Sequence, residues 1–204
     1  MKLVLASTSS YRAELLARFN LPFQQLASQI EEQVIPGETP IDRARRLSLE
    51  KAQAVADQLA EPALVIGSDQ VAFLGDQILH KPGDLTRARE QLRRCSGQEV
   101  SFATGCCLLN SQTKDNHASV DLVKVKFKTL TPQQIEHYLQ VDEPYDCAGS
   151  FKAEQLGIAL FDYIKSEDPT ALIGLPLISL ARHLTAFGYN PLNSAGLSPS
   201  ATIT

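Results

Sequence analysis

The chain has no apolar run near the ~18 residues needed to cross a bilayer, and its first apolar stretch, Met1 to Ala6, ends at the polar run Ser7 to Arg12. That stretch is too short for a secretory signal, so the expectation is a cytoplasmic protein without a membrane partner. No C-x-x-C pair occurs among Cys95, Cys106, Cys107 and Cys147, and no histidine stands at zinc-ligand spacing from them. The four thiols read instead as buried or incidental side chains in a reducing compartment. Excess positive charge is missing as well: the 204 residues carry a net charge of -4, and no stripe of interleaved basic and aromatic residues appears. A nucleic-acid partner is therefore not expected, and an anion site must be a local cluster working against the global sign. No internal repeat is visible.

What is present is a globular chain, 44% hydrophobic and 21% charged, enough for one sizeable core or a domain with a subsidiary lobe. Lys2 to Ala6 reads as a short buried strand and Ser9 to Phe19 as a helix, with Tyr11, Leu15 and Phe19 at fourfold spacing. Gln29 to Pro40 reads as a loop. Thr39 caps a helix expected from Ile41 to about Leu59. Two strands are expected at Ala63 to Gly67 and Val71 to Leu74, then a helix at Thr86 to Cys95. Val100 to Leu109 and Ala118 to Lys128 read as a hairpin around a polar turn. Thr131 and Pro132 open a helix to about Val141. A loop follows from Asp142 to Ala153, and a last helix runs from about Leu175 to Phe187. Strands mixed with helices, joined by both crossovers and hairpins, give an α/β class with a mixed central sheet and flanking helices. Residues 1–193 read as a single domain. The tail, Ser194 to Thr204, is small, polar and uncharged, and is expected to be disordered.

Three segments carry chemistry on their own residues. Ser7, Thr8, Ser9, Ser10, Tyr11 and Arg12 fall between the first strand and the first helix. Helix N-termini expose unpaired N–H groups, and Arg12 in the first turn is unfavourable unless an anion binds there. Hydroxyls, amides and a guanidinium together make a phosphate cradle; the alternative is serine caps beside a solvated arginine. Lys51 lies on the row Leu47, Lys51, Val55 inside the apolar arc of its helix. A lysine so placed either snorkels or meets a partner anion. Asp69 follows the apolar run Leu64 to Gly67, beyond the carboxyl end of a strand, where open α/β sheets bind ligands. It is either a metal or water ligand, or else a turn residue or helix cap. Lys81 before Pro82, and Glu31-Glu32 in the loop, are weak signals alone.

In this order the segments resemble the Maf family of nucleotide pyrophosphatases, the septum formation inhibitor homologues, from about Lys2 to Leu192. The carrying stretches are Leu5 to Arg12, Ile30-Glu31-Glu32, Glu50-Lys51-Ala52, Gly67-Ser68-Asp69-Gln70, Lys81-Pro82 and Cys147 to Glu154. Gln70 after the aspartate, and Ser150-Phe151-Lys152-Ala153-Glu154, are similar to the subgroup acting on 7-methyl-GTP. The Ile-Gln-Gly pattern of the dTTP and UTP subgroup is absent. The chain departs from the family pattern at Ser10, usually proline, and at His80, usually glycine.

The resemblance implies a two-lobed fold around a cleft, like that of inosine triphosphate pyrophosphatases, and hydrolysis of a nucleoside triphosphate to the monophosphate and pyrophosphate. It implies Asp69 as proton acceptor, with Lys51 and Lys81 offsetting phosphate charge. Ser7, Ser9 and Arg12 would hold phosphate oxygens. Glu32 and Asp69 would bind a divalent cation, Mg²⁺ or Mn²⁺, and Tyr11, Gln70 and Glu154 would select the base. The expected partner is a small nucleotide, and a homodimer is compatible with it. A dTTP or UTP pyrophosphatase of the same family, or a non-catalytic cell-division regulator, are the alternatives.

Overall fold

The computed structural model describes residues 1–193, and the tail from Ser194 to Thr204, expected above to be disordered, lies outside the described residues. Seven strands form one sheet in the order β2-β1-β3-β5-β6-β7, with β4 paired to β3. The strands are β1 (Lys2–Leu5), β2 (Phe23–Gln25), β3 (Ala63–Leu74), β4 (Gln77–Leu79), β5 (Glu99–Asn110), β6 (Asn116–Phe127) and β7 (Phe161–Lys165). The helices are α1 (Ser10–Ala17), α2 (Pro40–Ala56), α3 (Leu85–Cys95), α4 (Pro132–Asp142) and α5 (Leu177–Ala186). β1 runs parallel to β2 and β3, whereas β3–β4 and β6–β7 are antiparallel, so the sheet is mixed as expected.

The chain divides into two compact units. The first comprises residues 1–69, 104–121 and 168–193 of those described. Strand alternation sends Leu3 and Leu5 of β1 to one face, against Leu15 and Leu16 of α1 and Leu177, Leu180 and Leu184 of α5. It sends Val4 to the other face, against Ala52, Val55 and Ala56 of α2. Both faces are thus covered, which is why the strands here read as continuous apolar runs.

α2 begins where its sequence says it should. The Thr39 hydroxyl accepts from the Asp42 amide at 3.1 Å, and Pro40 occupies the first turn, where a missing N–H costs nothing. Ala44, Leu47, Ala52 and Val55 are fully buried, as the apolar arc required. The helix lies unusually close to the strands. A Cβ on Gly67 of β3 would stand 2.0 Å from the Ser48 carbonyl, and one on Gly105 of β5 would stand 2.1 Å from that of Ala44. Any side chain at either glycine would push α2 away and carry Lys51 with it.

The second unit comprises residues 70–103 and 122–167. Its interior is built on rings: Phe102, Phe127, Phe151 and Phe161 meet edge to face at centroid distances of 4.8–5.7 Å. Arg89 of α3 forms a forked ion pair with Glu136 of α4. α4 starts with a full capping box between Thr131 and Gln134.

Three expectations need correction. The two strands placed at Ala63 to Gly67 and Val71 to Leu74 are one strand, β3, because the polar Ser68 and Asp69 that separated them are themselves buried strand residues. The last helix begins at Leu177, since Pro176 holds the extended N-cap position. β2, β4 and β7 were not expected: the first two are three residues long, and four of the five β7 residues are exposed, so no buried apolar run marks them.

Candidate active site

α1 is capped by Ser9, whose hydroxyl accepts from the Arg12 amide at 3.4 Å. The serine-cap alternative therefore holds for Ser9, but the solvated-arginine half of it does not. The Arg12 Nε donates to the Gly174 carbonyl at 2.8 Å, and Nη1 donates to the Ser7 hydroxyl at 3.4 Å. Ser7 is buried and its Oγ also accepts from the Ser9 amide at 3.2 Å, tying the loop to the guanidinium. Burial pulls the Arg12 guanidinium down from its ordinary value, while Asp69 and then Glu32 push it back up. Ser10 occupies the first helical position, where the proline usual in the family also fits, so this departure leaves the helix start intact.

Lys51 does not snorkel. Its Nζ donates to Asp69 Oδ1 at 2.5 Å and pairs with Glu32 Oε1 at 2.7 Å, and only 11% of its side chain is exposed. The ammonium thus stands between the two carboxylates that the resemblance implies as metal ligands. Burial raises the Asp69 carboxyl above the usual aspartate value; Lys51 and Arg12 oppose that rise, and Glu32 adds slightly to it. A carboxylate kept ionised by a neighbouring cation, yet starved of water, is a stronger base than a free aspartate.

Two residues that sequence reasoning missed tie these groups together. The fully buried Ser68 hydroxyl lies 2.8 Å from the Gly105 carbonyl and 2.9 Å from the Gly174 carbonyl, within reach of donating its one proton to either. The Gly174 oxygen therefore accepts from Arg12 and lies within reach of the Ser68 hydroxyl. Its φ of +120° lies in a region that L side chains rarely adopt, and an added Cβ would stand 3.5 Å from Arg12 Nε. A backbone acceptor 162 residues away from its donor leaves no signature in spacing or residue type. Only the glycine itself was a signal.

The first unit therefore brings Ser7, Ser9, Arg12, Glu32, Lys51 and Asp69 into one electrostatically coupled cluster. Tyr11 is half-buried on α1 of the same unit. Gln70, Lys81 and Glu154 belong to the second unit, with Gln70 half-buried and Lys81 and Glu154 exposed. Glu154 sits on a turn held by its neighbours: the Lys152 amide donates to the Tyr138 hydroxyl at 3.0 Å, and the Gly157 amide to Asp142 Oδ2 at 3.0 Å. His80 precedes Lys81 without the left-handed backbone that favours glycine. The described non-glycine residues with positive φ are Asn20, Gln29, Lys114, Glu143 and Ser150.

Among the described residues, no group of three or more His, Cys, Asp or Glu side chains is arranged to hold a metal ion. Two carboxylates meeting at one point nonetheless suit a hard cation that takes one or two protein carboxylates and completes its shell with water and phosphate oxygens. The four cysteines are free thiols, and burial pushes those of Cys95, Cys107 and Cys147 up to about 12, which keeps them protonated and inert. No helix among the described residues is long and apolar enough to cross a membrane.

Residues 2–187 match the model of the Maf family, described as Maf-like protein. A 7-methyl-GTP pyrophosphatase of Nitrosococcus oceani is 52% identical over 187 residues, covering 92% of this chain and 94% of that one. Another protein of that name, from Pseudomonas putida, is 50% identical over 190 residues and covers 92% and 97%. A solved structure described as nucleoside-triphosphatase / dITP/XTP pyrophosphatase, from Mycobacterium abscessus, aligns with a TM-score of 0.43 at 14% identity, over 64% of this chain and 76% of that chain.

Proposed function

The chain belongs to the Maf family, and on that premise we propose that it hydrolyses 7-methyl-GTP to 7-methyl-GMP and pyrophosphate. The observation that carries the reading is Lys51, a buried lysine held between Asp69 and Glu32 within a chain half-identical to proteins named for that activity.

Cleavage of a triphosphate needs neutralised phosphate charge, a positioned water and a stabilised leaving group. Arg12, oriented by Gly174 and Ser7, offers its guanidinium to phosphate oxygens. Lys51 exchanges a carboxylate for the phosphate as substrate enters, and Lys81 adds a third cation. Asp69 accepts the proton of the attacking water, and its raised pKa makes it fitter for that step than an exposed aspartate. Glu32 and Asp69 would hold a divalent cation such as Mg²⁺ or Mn²⁺. When bound, that ion supplies charge neutralisation at the phosphates and acidifies water. Because Asp69 must be ionised, the acid limb of kcat/KM should lie above the ordinary aspartate value. An acid limb at or below that value would remove Asp69 as the base.

Base selection rests on Glu154, Tyr11 and Gln70. A carboxylate accepts from N1–H and the amino group of guanine, a pair that adenine does not offer. Methylation at N7 makes the ring cationic, which strengthens its attraction to an aromatic face such as Tyr11. The test is pyrophosphate release from 7-methyl-GTP, GTP, UTP and dTTP by the wild type and by Glu154→Gln. The reading expects the variant to lose guanine nucleotides by about 10-fold or more relative to uridine, a loss typical of an unpaired polar contact. Equal losses on all four would remove Glu154 from base recognition, and no pyrophosphate release from any by the wild type would remove the reading.

A further inference from the structure

The acidic loop between β2 and α2 carries Glu32, and it is gripped at a second point by a side chain that plays no part in the chemistry above. Arg46 of α2 uses its guanidinium to capacity. Nε donates to Glu38 Oε1 at 2.6 Å, and Nη2 donates to Glu38 Oε2 at 2.7 Å and to the Gln33 carbonyl at 3.1 Å. Nη1 lies 3.1 and 3.0 Å from the two oxygens of Glu50, one turn along the same helix. Five N–H groups thus have five contacts, the full inventory of an arginine. Lysine, with a single ammonium at the end of a flexible stem, cannot reproduce this fork.

The grip is sheltered: 20% of the Arg46 side chain and 9% of the Glu38 side chain are exposed. The hydrogen bond from Arg46 holds the Glu38 carboxyl below its usual value. By contrast the neighbouring pair Arg45–Asp42 is more than half exposed at 3.5 Å, an ordinary surface pair. One helix therefore holds two consecutive loop residues by different means, Glu32 by the Lys51 ammonium and Gln33 by the Arg46 guanidinium. Between Gln33 and Glu38 the loop exposes Val34 and Ile35, which gain nothing from burial. Apolar packing does not fix this stretch, so the charged fork does.

We propose that Arg46 is a positioning residue whose fork with Glu38 and Gln33 keeps Glu32 at the Lys51–Asp69 cluster, independently of the Lys51–Glu32 ion pair. The consequence rests on the reading of that cluster as the reacting centre. When Lys51 turns from Glu32 to a phosphate, the loop stays in place and Glu32 remains available to a cation. Without the fork, the same exchange would release the loop.

The test separates the fork from the ion pair. Hydrogen exchange of the 31–38 segment, measured by mass spectrometry, should rise by about tenfold or more in Arg46→Lys and in Glu38→Gln, and stay near wild type in Lys51→Met and in the control Arg45→Lys. Binding of Mn²⁺ alone, followed by electron paramagnetic resonance without nucleotide, should weaken about tenfold in the two fork variants, as expected when an orienting partner is lost. In turnover, the half-saturating metal concentration should rise in those variants while kcat at saturating metal changes little. Unchanged exchange at 31–38 in both fork variants would overturn the proposal. So would an increase shared equally by all of α2, which is the mark of general loosening. If the wild type neither binds Mn²⁺ nor releases pyrophosphate, the reading of the site fails, while the exchange experiment still decides the role of Arg46.

Discussion

The two units spend their interiors differently. The first buries charge: Lys51, Asp69 and the half-buried Arg12 share one cluster with the loop acid Glu32. The second buries rings, with Phe102, Phe127, Phe151 and Phe161 meeting edge to face. Buried ion pairs recover in Coulomb energy roughly what desolvation costs, and are seldom the cheapest way to stabilise a fold. Buried rings carry no such desolvation penalty, and edge-to-face contacts add to their burial. The first unit therefore sets a charged cluster for chemistry beside its own apolar core, whereas the second centres on ring packing, and substitutions in the cluster and in the rings should fail in different assays.

The largest expected effect is on turnover. Lys51→Met removes the cation facing the phosphates and should lower kcat by about 10³-fold, the scale of losing a preorganised electrostatic contact. Steady-state rates compare it with wild type, and normal turnover would return Lys51 to a structural role. Next comes Phe127→Ala, which deletes a fully buried ring and should cost about 3–5 kcal/mol. That cost lowers the melting temperature by roughly 10 °C for a chain of this size. The folded fraction should keep its kcat within about threefold, since the lost contacts are apolar packing. A larger fall in kcat than in stability would erase the contrast between the units.

Gly174→Ala sharpens it. A side chain at φ +120° is strained, and that strain acts on the carbonyl that aims Arg12, while the new Cβ itself makes only ordinary contact. The expectation is about 10-fold to 100-fold in kcat/KM, the cost of misplacing a phosphate-binding group by a fraction of its reach. The smallest effect concerns pH. Burial first, then His117 and Arg182, lower His183 of α5 to about 4, against an ordinary value of 6.5. Below 6.5 the unfolded chain takes up a proton that the folded one refuses until about 4. Stability should therefore fall as pH drops through that window and hold steady above it. His183→Gln should flatten the decline in melting temperature between pH 7.5 and 5.

Much of this was legible in the sequence, and the gaps have physical reasons. The capped starts of α2 and α4 and the β5–β6 hairpin carry local signals that structure obeys. Lys51 was legible because a charge on an apolar stripe breaks a pattern. Ser68 and Asp69 were read as a break between strands because periodicity rewards apolar residues, while β3 carries its polar residues straight through the interior. β2 and β4, at three residues each, are too short to show a period. Gly174 acts through a carbonyl that every residue possesses, so its role waits on geometry. Arg46 resembles any arginine on a helix surface until its five contacts are seen.

The direct test of the account is hydrolysis of 7-methyl-GTP in ¹⁸O-labelled water, with the products separated and weighed. Attack on the α-phosphorus, with water activated at Asp69, predicts one ¹⁸O in 7-methyl-GMP and none in the released pyrophosphate. Label in orthophosphate or pyrophosphate, or intact 7-methyl-GTP after long incubation with Mg²⁺ or Mn²⁺, would contradict it.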